Sequence, residues 1–581
     1  MSSTRLPVAE ALVRFLAAQR VGPSGERACG GVFAIFGHGN VAGLGRALAR
    51  SELPVFRGNN EPGMALAATA FAKANRRGRF MACTTSIGPG ATNLVTAAAA
   101  ARVNRLPLLL LPGDAFATRR VDPALQQLEV DAEPGVTVND CLRPVSAYFD
   151  RIQRPEQLVP ALEQALRVLF DPVATGPVTL CLPQDVQAEP VDVPASFLEP
   201  RVWTVRRPSP DATELTRAAD DVRRARRVAI IAGGGVRYSG AEAELSSFAT
   251  STGMPVVETP AGRGVAGARG LGGVGVAGTG PANRAVRDAE LVLAVGTRLS
   301  DFTTGSRVLL RDKPIVNLNI DPRDACKLDA RPLVADAALG LAGLHEALNG
   351  FEVDADWGRA IDAEGEAWWR DLQSEPEGEV PTDGQVIDAV ARWARASTTV
   401  VAASGSIPGE LQKRWRSRHP DDVHLEYGYS CMGYEIAGAL GTKIARPEAE
   451  VVALVGDGAY LMLSSELQTS VALGRKIIVL VFDNGGFGCI HRLQQRVGSR
   501  PFANLRAGRD VDFVANARSL GAHAEAVTGV AELEAALDRA RGAPATYVIV
   551  VPTDPDRETQ AGGAWWDVPS WTESEGRGNG A

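Results

Sequence analysis

The chain has 581 residues, of which 45% are hydrophobic, and sets Lys+Arg 61 against Asp+Glu 68 for a formal net charge of −7. At roughly 100 to 200 residues per domain this length gives about three domains. Mild acidity without any run of Lys or Arg excludes a nucleic-acid footprint, and the most apolar runs, 106–111 and 477–482, fall far short of the roughly 20 residues of a bilayer span. Seven scattered cysteines without a C-x-x-C pair, behind a start that lacks an export pattern, read as a reduced, cytoplasmic protein. His345-Glu346 is followed by Asn349 where a zinc helix needs its second His, so any metal must use oxygen ligands.

From residue 30 to about 190, β-rich runs at 31–36, 53–57, 80–84, 106–111 and 178–182 alternate with helical stretches at 41–50, 62–76 and 94–105. Such alternation predicts βαβ units and a parallel sheet covered on both faces. Residues 188–210, rich in Pro and broken by charge, read as a linker. A second block has strands at 228–232, 255–258, 291–295 and 315–320, after which 350–382 lapses into acidic sequence with Gly and Pro. The third block has strands at 399–402, 450–455, 477–482 and 547–551, and the polar end 573–581 is expected to be disordered. The expected fold is α/β: three doubly wound parallel-sheet domains over 1–190, 205–350 and 380–560, with a tail over 561–581.

The third block carries the first chemical constellation. Strand 450–455 runs into Gly456-Asp457-Gly458, a helix over 461–475 follows, and strand 476–482 ends in Asp483-Asn484-Gly485-Gly486. A right-handed parallel crossover places both polar tips at the carboxyl edge of one sheet, where open α/β sheets bind ligands. One carboxylate and one amide oxygen suit Mg²⁺, which takes its other ligands from phosphates and water. Gly458 lets the following helix N-terminus approach a diphosphate.

This pairing resembles the signature of thiamine-diphosphate enzymes, and nearly the whole chain resembles the three-domain family of acetolactate synthase and pyruvate decarboxylase. The resemblance implies a pyrimidine-binding domain over 1–190, a central domain over 205–350 and a diphosphate-binding domain over 380–560. It implies Mg²⁺ on Asp457, Asn484 and the main-chain carbonyl of Gly486, with Ser404-Gly405-Ser406, Gly458 and Ala459 meeting the diphosphate. The segment 428–433, reading G-Y-S-C-M-G, matches the stretch against the aminopyrimidine, Ser430 through its carbonyl and Met432 as the apolar wedge. Because the family seats its cofactor between the first block of one chain and the third block of another, a homodimer or dimer of dimers is implied.

Glu61 lies at a strand-to-helix junction before an almost wholly apolar helix. An all-round apolar helix is buried, and burial raises a carboxyl pKa; an acidic residue in a first turn is also an ordinary dipole partner. The resemblance implies the first role, with Glu61 as the catalytic carboxyl that donates to the pyrimidine ring nitrogen. The loop 85–93, T-S-I-G-P-G-A-T-N, resembles the family's T-S-G-P-G-A-T-N with Ile87 inserted.

Departures narrow the reaction. Decarboxylase relatives carry paired His in the first domain and a Glu beyond the metal loop, where this chain has Pro112-Gly113-Asp114-Ala115 and Ile490. Acetolactate synthases have D-A-F-Q-E where this chain has Asp114-Ala115-Phe116-Ala117-Thr118, and an Arg where it has Phe302. The remaining pocket edge, 36–40, Gln126-Gln127 and 487–491, with 426–435 and Trp565-Trp566-Asp567, resembles the inositol-catabolism branch of the family. That implies hydrolytic ring opening of a polyhydroxylated cyclic 1,2-diketone to 5-deoxy-D-glucuronate, with carboligation or 2-keto acid decarboxylation as the alternative. His38, Asn40, Gln127, Phe487 and His491 are the candidate substrate contacts, His38 also as a catalytic proton relay; the Trp565–Asp567 stretch is either a lid or a packing anchor. Gly37 to Ala42 also satisfies the nicotinamide motif G-x-G-x-x-A, a reading that leaves Asp457 and Asn484 unexplained. Gly233-Gly234-Gly235 permits FAD in the central domain without calling for it.

Overall fold

The structure is a computed structural model that describes residues 3–22, 25–374, 376, 378–506 and 511–569. Three open sheets, wholly parallel, stand one after another along the chain. The first has the order Val55–Arg57, Cys29–Ala34, Phe80–Thr85, Leu108–Asp114, Pro177–Pro183, Tyr148–Arg151. The second runs Val256–Glu258, Val228–Ala232, Leu291–Val295, Ile315–Asn319, Arg331–Val334. The third runs Val423–Leu425, Thr398–Ala402, Glu450–Gly456, Ile478–Asp483, Tyr547–Pro552, His523–Ala526. Their central strands are buried on both faces, which is why they read as continuous apolar runs.

The strands that sequence reasoning passes over, Tyr148–Arg151, Arg331–Val334, Val423–Leu425 and His523–Ala526, are short edge strands. Three of them are only partly buried, so they carry no apolar run to find. Three other expectations are corrected. Within 188–210, Pro190–Pro194 forms an edge strand antiparallel to Ser3–Pro7, with Val191 and Val193 turned inward. The acidic stretch 350–382 contains the helix Ala355–Gln373, started by Asp354, whose carboxylate accepts from the amides of Asp356 and Trp357, and buried along Ile361, Gly365 and Trp369. The helix expected over 461–475 begins at Asp457 itself and is broken in two, Asp457–Leu463 and Glu466–Ala472. The tail 570–581, including the stretch expected to be disordered, lies outside the described residues.

One core cluster spans the first and third sheets. At its centre the helix Glu61–Ala74 packs on the helix Tyr434–Ala445, and a β-carbon at Gly441 would overlap the carbonyl of Ala67. Glycine is what permits that approach. Arg105 ties the first sheet to the second through Asp321 and Asp324, at 3.2 and 2.6 Å.

Candidate active site

Strand Glu450–Gly456 pairs in parallel with Ile478–Asp483 up to Gly456 opposite Phe482, so Asp457 and Asn484 leave adjacent strands at the same edge. Asp457 is fully buried at the start of its helix. Its Oδ2 meets Arg506, which also donates to Asp483 Oδ1 at 2.6 Å, while its Oδ1 has no hydrogen-bond partner. Asn484 Oδ1, beside it in the chain's second tip, is likewise buried and unpartnered. Burial raises the Asp457 carboxyl to about 7, with Asp483 adding to the rise and Arg506 opposing it.

Two buried oxygen acceptors without donors call for an explanation, and a small hard cation supplies one. The Gly486 carbonyl lies 3.5 Å from where a β-carbon of Gly458 would stand, and the Phe487 ring closes the same space at 2.6 Å. Asp457, Asn484 and Gly486 therefore form a donor set that fits Mg²⁺. Gly486, at φ +150, is held by backbone pairing to the segment Asn504 to Arg506: Phe487 donates to the Asn504 carbonyl and Arg506 to the Gly485 carbonyl. Sequence reasoning gives no hint of Arg506, twenty residues beyond the loop it braces.

The loop after strand Thr398–Ala402 turns both hydroxyls inward. Ser404 donates to Glu435 Oε1 at 2.9 Å and Ser406 to Asp383 Oδ2 at 2.6 Å. Gly405, at φ +76 with open space about its α-carbon, stands between them, before the helix Ile407–Arg414. The Ser404 amide is likewise spent on Glu435 Oε1, at 3.1 Å. Ala459 is buried in the first turn behind Gly458.

Ser430 is exposed at φ +56, and Met432, half-buried, packs on the shared core. Two buried carboxylates, part of the 426–435 match but given no role by sequence reasoning, hold this stretch. Glu426 accepts from Tyr429 N, Cys431 N and Asn104 Nδ2; Glu435 accepts from Gly433 N as well as Ser404. Burial pushes the Glu435 carboxyl up to about 7.

Glu61 heads its helix in the first domain, where Asn60 caps by accepting from Gly63 N at 2.6 Å. Asn93, from the loop 85–93, donates to Glu61 Oε2 at 3.0 Å. Asn59 and Asn60 reach the helix Glu466–Ala472 and the residue before it, through Gln468, Thr469, Ser465 and Glu466. Among the described residues no hydrogen bond or ion pair joins Glu61 to Ser430, Met432, Asp457 or Asn484.

The substrate candidates separate. His38 is exposed in the loop after strand Cys29–Ala34. Asn40 is buried and fully engaged: its amide nitrogen donates to Ile35 O and Thr84 Oγ1, and its oxygen accepts from Gly37 N. It builds the loop that presents His38. Gln127 leaves its buried amide nitrogen unpartnered, in a cavity walled by loops 114–137. Phe487 lies with its ring against Gly458. His491, whose amide donates to the Phe487 carbonyl, turns its ring to Asp556 at 3.0 Å. Trp566 stacks edge-on against Phe302, and Phe302 against Tyr427, with centroids 5.7 and 5.0 Å apart. Beside them a cavity of about 460 Å³ opens at the carboxyl edge of the second sheet, bounded by Gly234, Tyr238, Thr297 and Arg298.

Three family descriptions match the chain in order. Residues 8–133 match the thiamine pyrophosphate enzyme N-terminal TPP binding domain, 215–344 the central domain and 403–551 the C-terminal TPP binding domain. The chain belongs to the thiamine pyrophosphate enzymes. Among curated proteins it is 42% identical to 3D-(3,5/4)-trihydroxycyclohexane-1,2-dione hydrolase of Bacillus cereus (strain AH820), over 98% of this chain and 96% of that protein. The same figures hold for the proteins of that name from Bacillus anthracis (strain CDC 684 / NRRL 3495) and Bacillus thuringiensis (strain Al Hakam). As a thiamine pyrophosphate enzyme that resembles proteins named as hydrolases over 98% of its length, the chain is an enzyme of hydrolase type. No helix among its described residues is long and apolar enough to cross a membrane.

Proposed function

We propose that this enzyme uses thiamine diphosphate and Mg²⁺ to open 3D-(3,5/4)-trihydroxycyclohexane-1,2-dione hydrolytically to 5-deoxy-D-glucuronate. The observation that carries the cofactor is the pair of buried, donorless oxygens on Asp457 and Asn484 at one sheet edge; the substrate rests on full-length likeness to the hydrolases. In the reaction, water oxygen bonds to one carbonyl carbon, the bond between the two carbonyl carbons breaks, and the other carbon takes a proton. The products are a carboxylic acid and an aldehyde on one open chain, with no net oxidation. Thiamine diphosphate, when bound, supplies the sink for the electron pair left by the breaking bond.

The protein supplies position and protons. Asp457, Asn484 and the Gly486 carbonyl would hold Mg²⁺, and the backbone of Gly405 and Ser406 and of Gly458 and Ala459 would receive the diphosphate. Ser430 and Met432 receive the pyrimidine. Glu61 keeps Oε2 on Asn93 and presents Oε1 as the atom that exchanges a proton with the pyrimidine nitrogen. His38, exposed on a loop that Asn40 fixes, is the candidate relay to the substrate. Because the family seats its cofactor between the first block of one chain and the third block of another, a second copy completes each site, and the working form is a homodimer or dimer of dimers. Seven free cysteines support a cytoplasmic setting. A hydrolysis needs no flavin, so the purified enzyme is expected to be colourless although the central cavity has room for a planar group.

Turnover of the cyclic dione, with and without thiamine diphosphate and Mg²⁺, tests the proposal. Cofactor-dependent acid release without CO₂ is expected; CO₂ from pyruvate with no action on the dione would replace the hydrolase reading by the decarboxylase one.

A further inference from the structure

The stretch between strand Val423–Leu425 and helix Tyr434–Ala445 alternates in a way the family signature does not explain. The amides of Tyr429, Cys431 and Gly433 all point to buried carboxylates: Tyr429 N lies 2.9 Å from Glu426 Oε1, Cys431 N 2.9 Å from Glu426 Oε2, and Gly433 N 3.0 Å from Glu435 Oε2. Of the residues between, Ser430 is exposed, as is the Tyr429 side chain, and Met432 is half-buried against the shared core. Ser430 sits at φ +56, a conformation a residue with a β-carbon holds only when its surroundings impose it. Its neighbours' amides, pulled from either side onto one carboxylate, impose it here.

Glu426 is not held by its own domain alone. Its Oε1 also accepts from Asn104 Nδ2 at 2.8 Å, and Asn104 ends the helix Val95–Val103 of the first domain. Gly428 has no room for a side chain because a β-carbon there would stand 2.6 Å from Asn104 Oδ1. Glu435, in turn, joins this stretch to the diphosphate loop through Ser404 N and Oγ, at 3.1 and 2.9 Å.

We propose that Glu426 and Glu435 are positioning residues that set the backbone of 428–433 for the aminopyrimidine, with Asn104 of the first domain fixing Glu426. This rests on the thiamine reading of the site. The chemistry requires carboxylates: Glu426 faces three donors, and an amide in its place would turn an N–H toward one of them. Glu426 serves only the pyrimidine end, whereas Glu435 serves both ends.

That division is the test. Calorimetric titration of the whole enzyme with Mg²⁺ and thiamine diphosphate, and separately with Mg²⁺ and inorganic pyrophosphate, separates the two ends of the cofactor. Glu426→Gln should weaken thiamine diphosphate about tenfold or more, the cost of one unmatched buried donor, and leave pyrophosphate unchanged. Glu435→Gln should weaken both. Asn104→Ala, in another domain, should repeat the Glu426→Gln pattern in milder form and keeps the test alive if the first variant folds poorly. Unchanged thiamine diphosphate affinity in Glu426→Gln and Asn104→Ala, or parallel loss of pyrophosphate in both, would overturn the assignment. A wild-type enzyme that binds pyrophosphate but no thiamine diphosphate would instead sink the thiamine reading beneath it.

Discussion

The two halves of the site are built in opposite ways. In the third domain every element of the cofactor half is fixed from behind: Arg506 and backbone pairing brace the metal loop, and Glu426 and Glu435 hold the pyrimidine stretch. In the first domain Glu61 is half-buried with one side-chain partner, and His38 is exposed. On the proposed function, the third domain supplies the groups that bind the cofactor and a second chain's Glu61 supplies the proton exchange. Breaking each half should therefore give different kinetics.

The largest effect is expected at Glu61. Glu61→Gln removes the exchangeable proton and keeps the shape and the Asn93 contact, so turnover should fall about 10²- to 10⁴-fold while calorimetry finds thiamine diphosphate bound nearly as before. Loss of cofactor affinity in step with turnover would place Glu61 in binding rather than in proton exchange. The next effect falls on the other half. Asp457→Asn keeps an oxygen but not the charge, and should cost about 10- to 100-fold in Mg²⁺-dependent cofactor affinity, with turnover recovering toward wild type at high Mg²⁺. Equal affinity in the variant would mean that Asp457 Oδ1 is not a ligand.

How much of this is legible in the sequence follows from the range of the interactions. Gly456-Asp457-Gly458 and Asn484 lie at the ends of strands whose apolar runs announce themselves, so both the sheet and the edge they share can be read locally. The helix Glu61–Ala74 is legible by its apolar composition, although Glu61 itself is only half-buried. Arg506, Glu426 and Asn104 are not: each acts across a sequence gap, 49 residues from Arg506 to Asp457 and 322 from Asn104 to Glu426, and a lone charged or amide residue carries no period. The helix Ala355–Gln373 hides for a related reason, its buried face being only Ile361, Gly365 and Trp369 among acidic neighbours. Asn40 shows the converse, a residue whose place in a pocket motif suggests ligand contact and whose hydrogen bonds are all spent inside the loop.

Asn40 and His38 form the third contrast. Asn40→Ala orphans Thr84, Ile35 and Gly37 groups in a buried loop and should cost about 1–3 kcal/mol of stability, seen as a lower Tm. His38→Ala touches no buried bond, so its Tm should stay within error while turnover of the dione falls. Unchanged turnover in His38→Ala would remove that imidazole from the mechanism.

The smallest effect separates folding from binding at Glu435. Its buried carboxyl is raised from an ordinary 4.5 to about 7, so between those values the folded chain keeps a proton that the unfolded chain releases. Stability of the cofactor-free enzyme from this group is therefore full below about 4.5 and is lost as pH rises through about 7, with a slope of at most about 1.4 kcal/mol per pH unit. Its hydrogen bonds to Ser404 and Gly433 ask for the opposite, since the ionised carboxylate is the better acceptor. Raising the pH should thus weaken the cofactor-free fold and tighten the cofactor. Melting cofactor-free wild type and Glu435→Gln between about pH 5 and 7.5 isolates the first effect, because Asp457 and Glu466, raised in the same direction, are common to both proteins and cancel. Wild type should gain on the variant as pH falls. Parallel Tm curves would show that Glu435 stays ionised throughout and that its burial is already offset by Ser404 and Gly433.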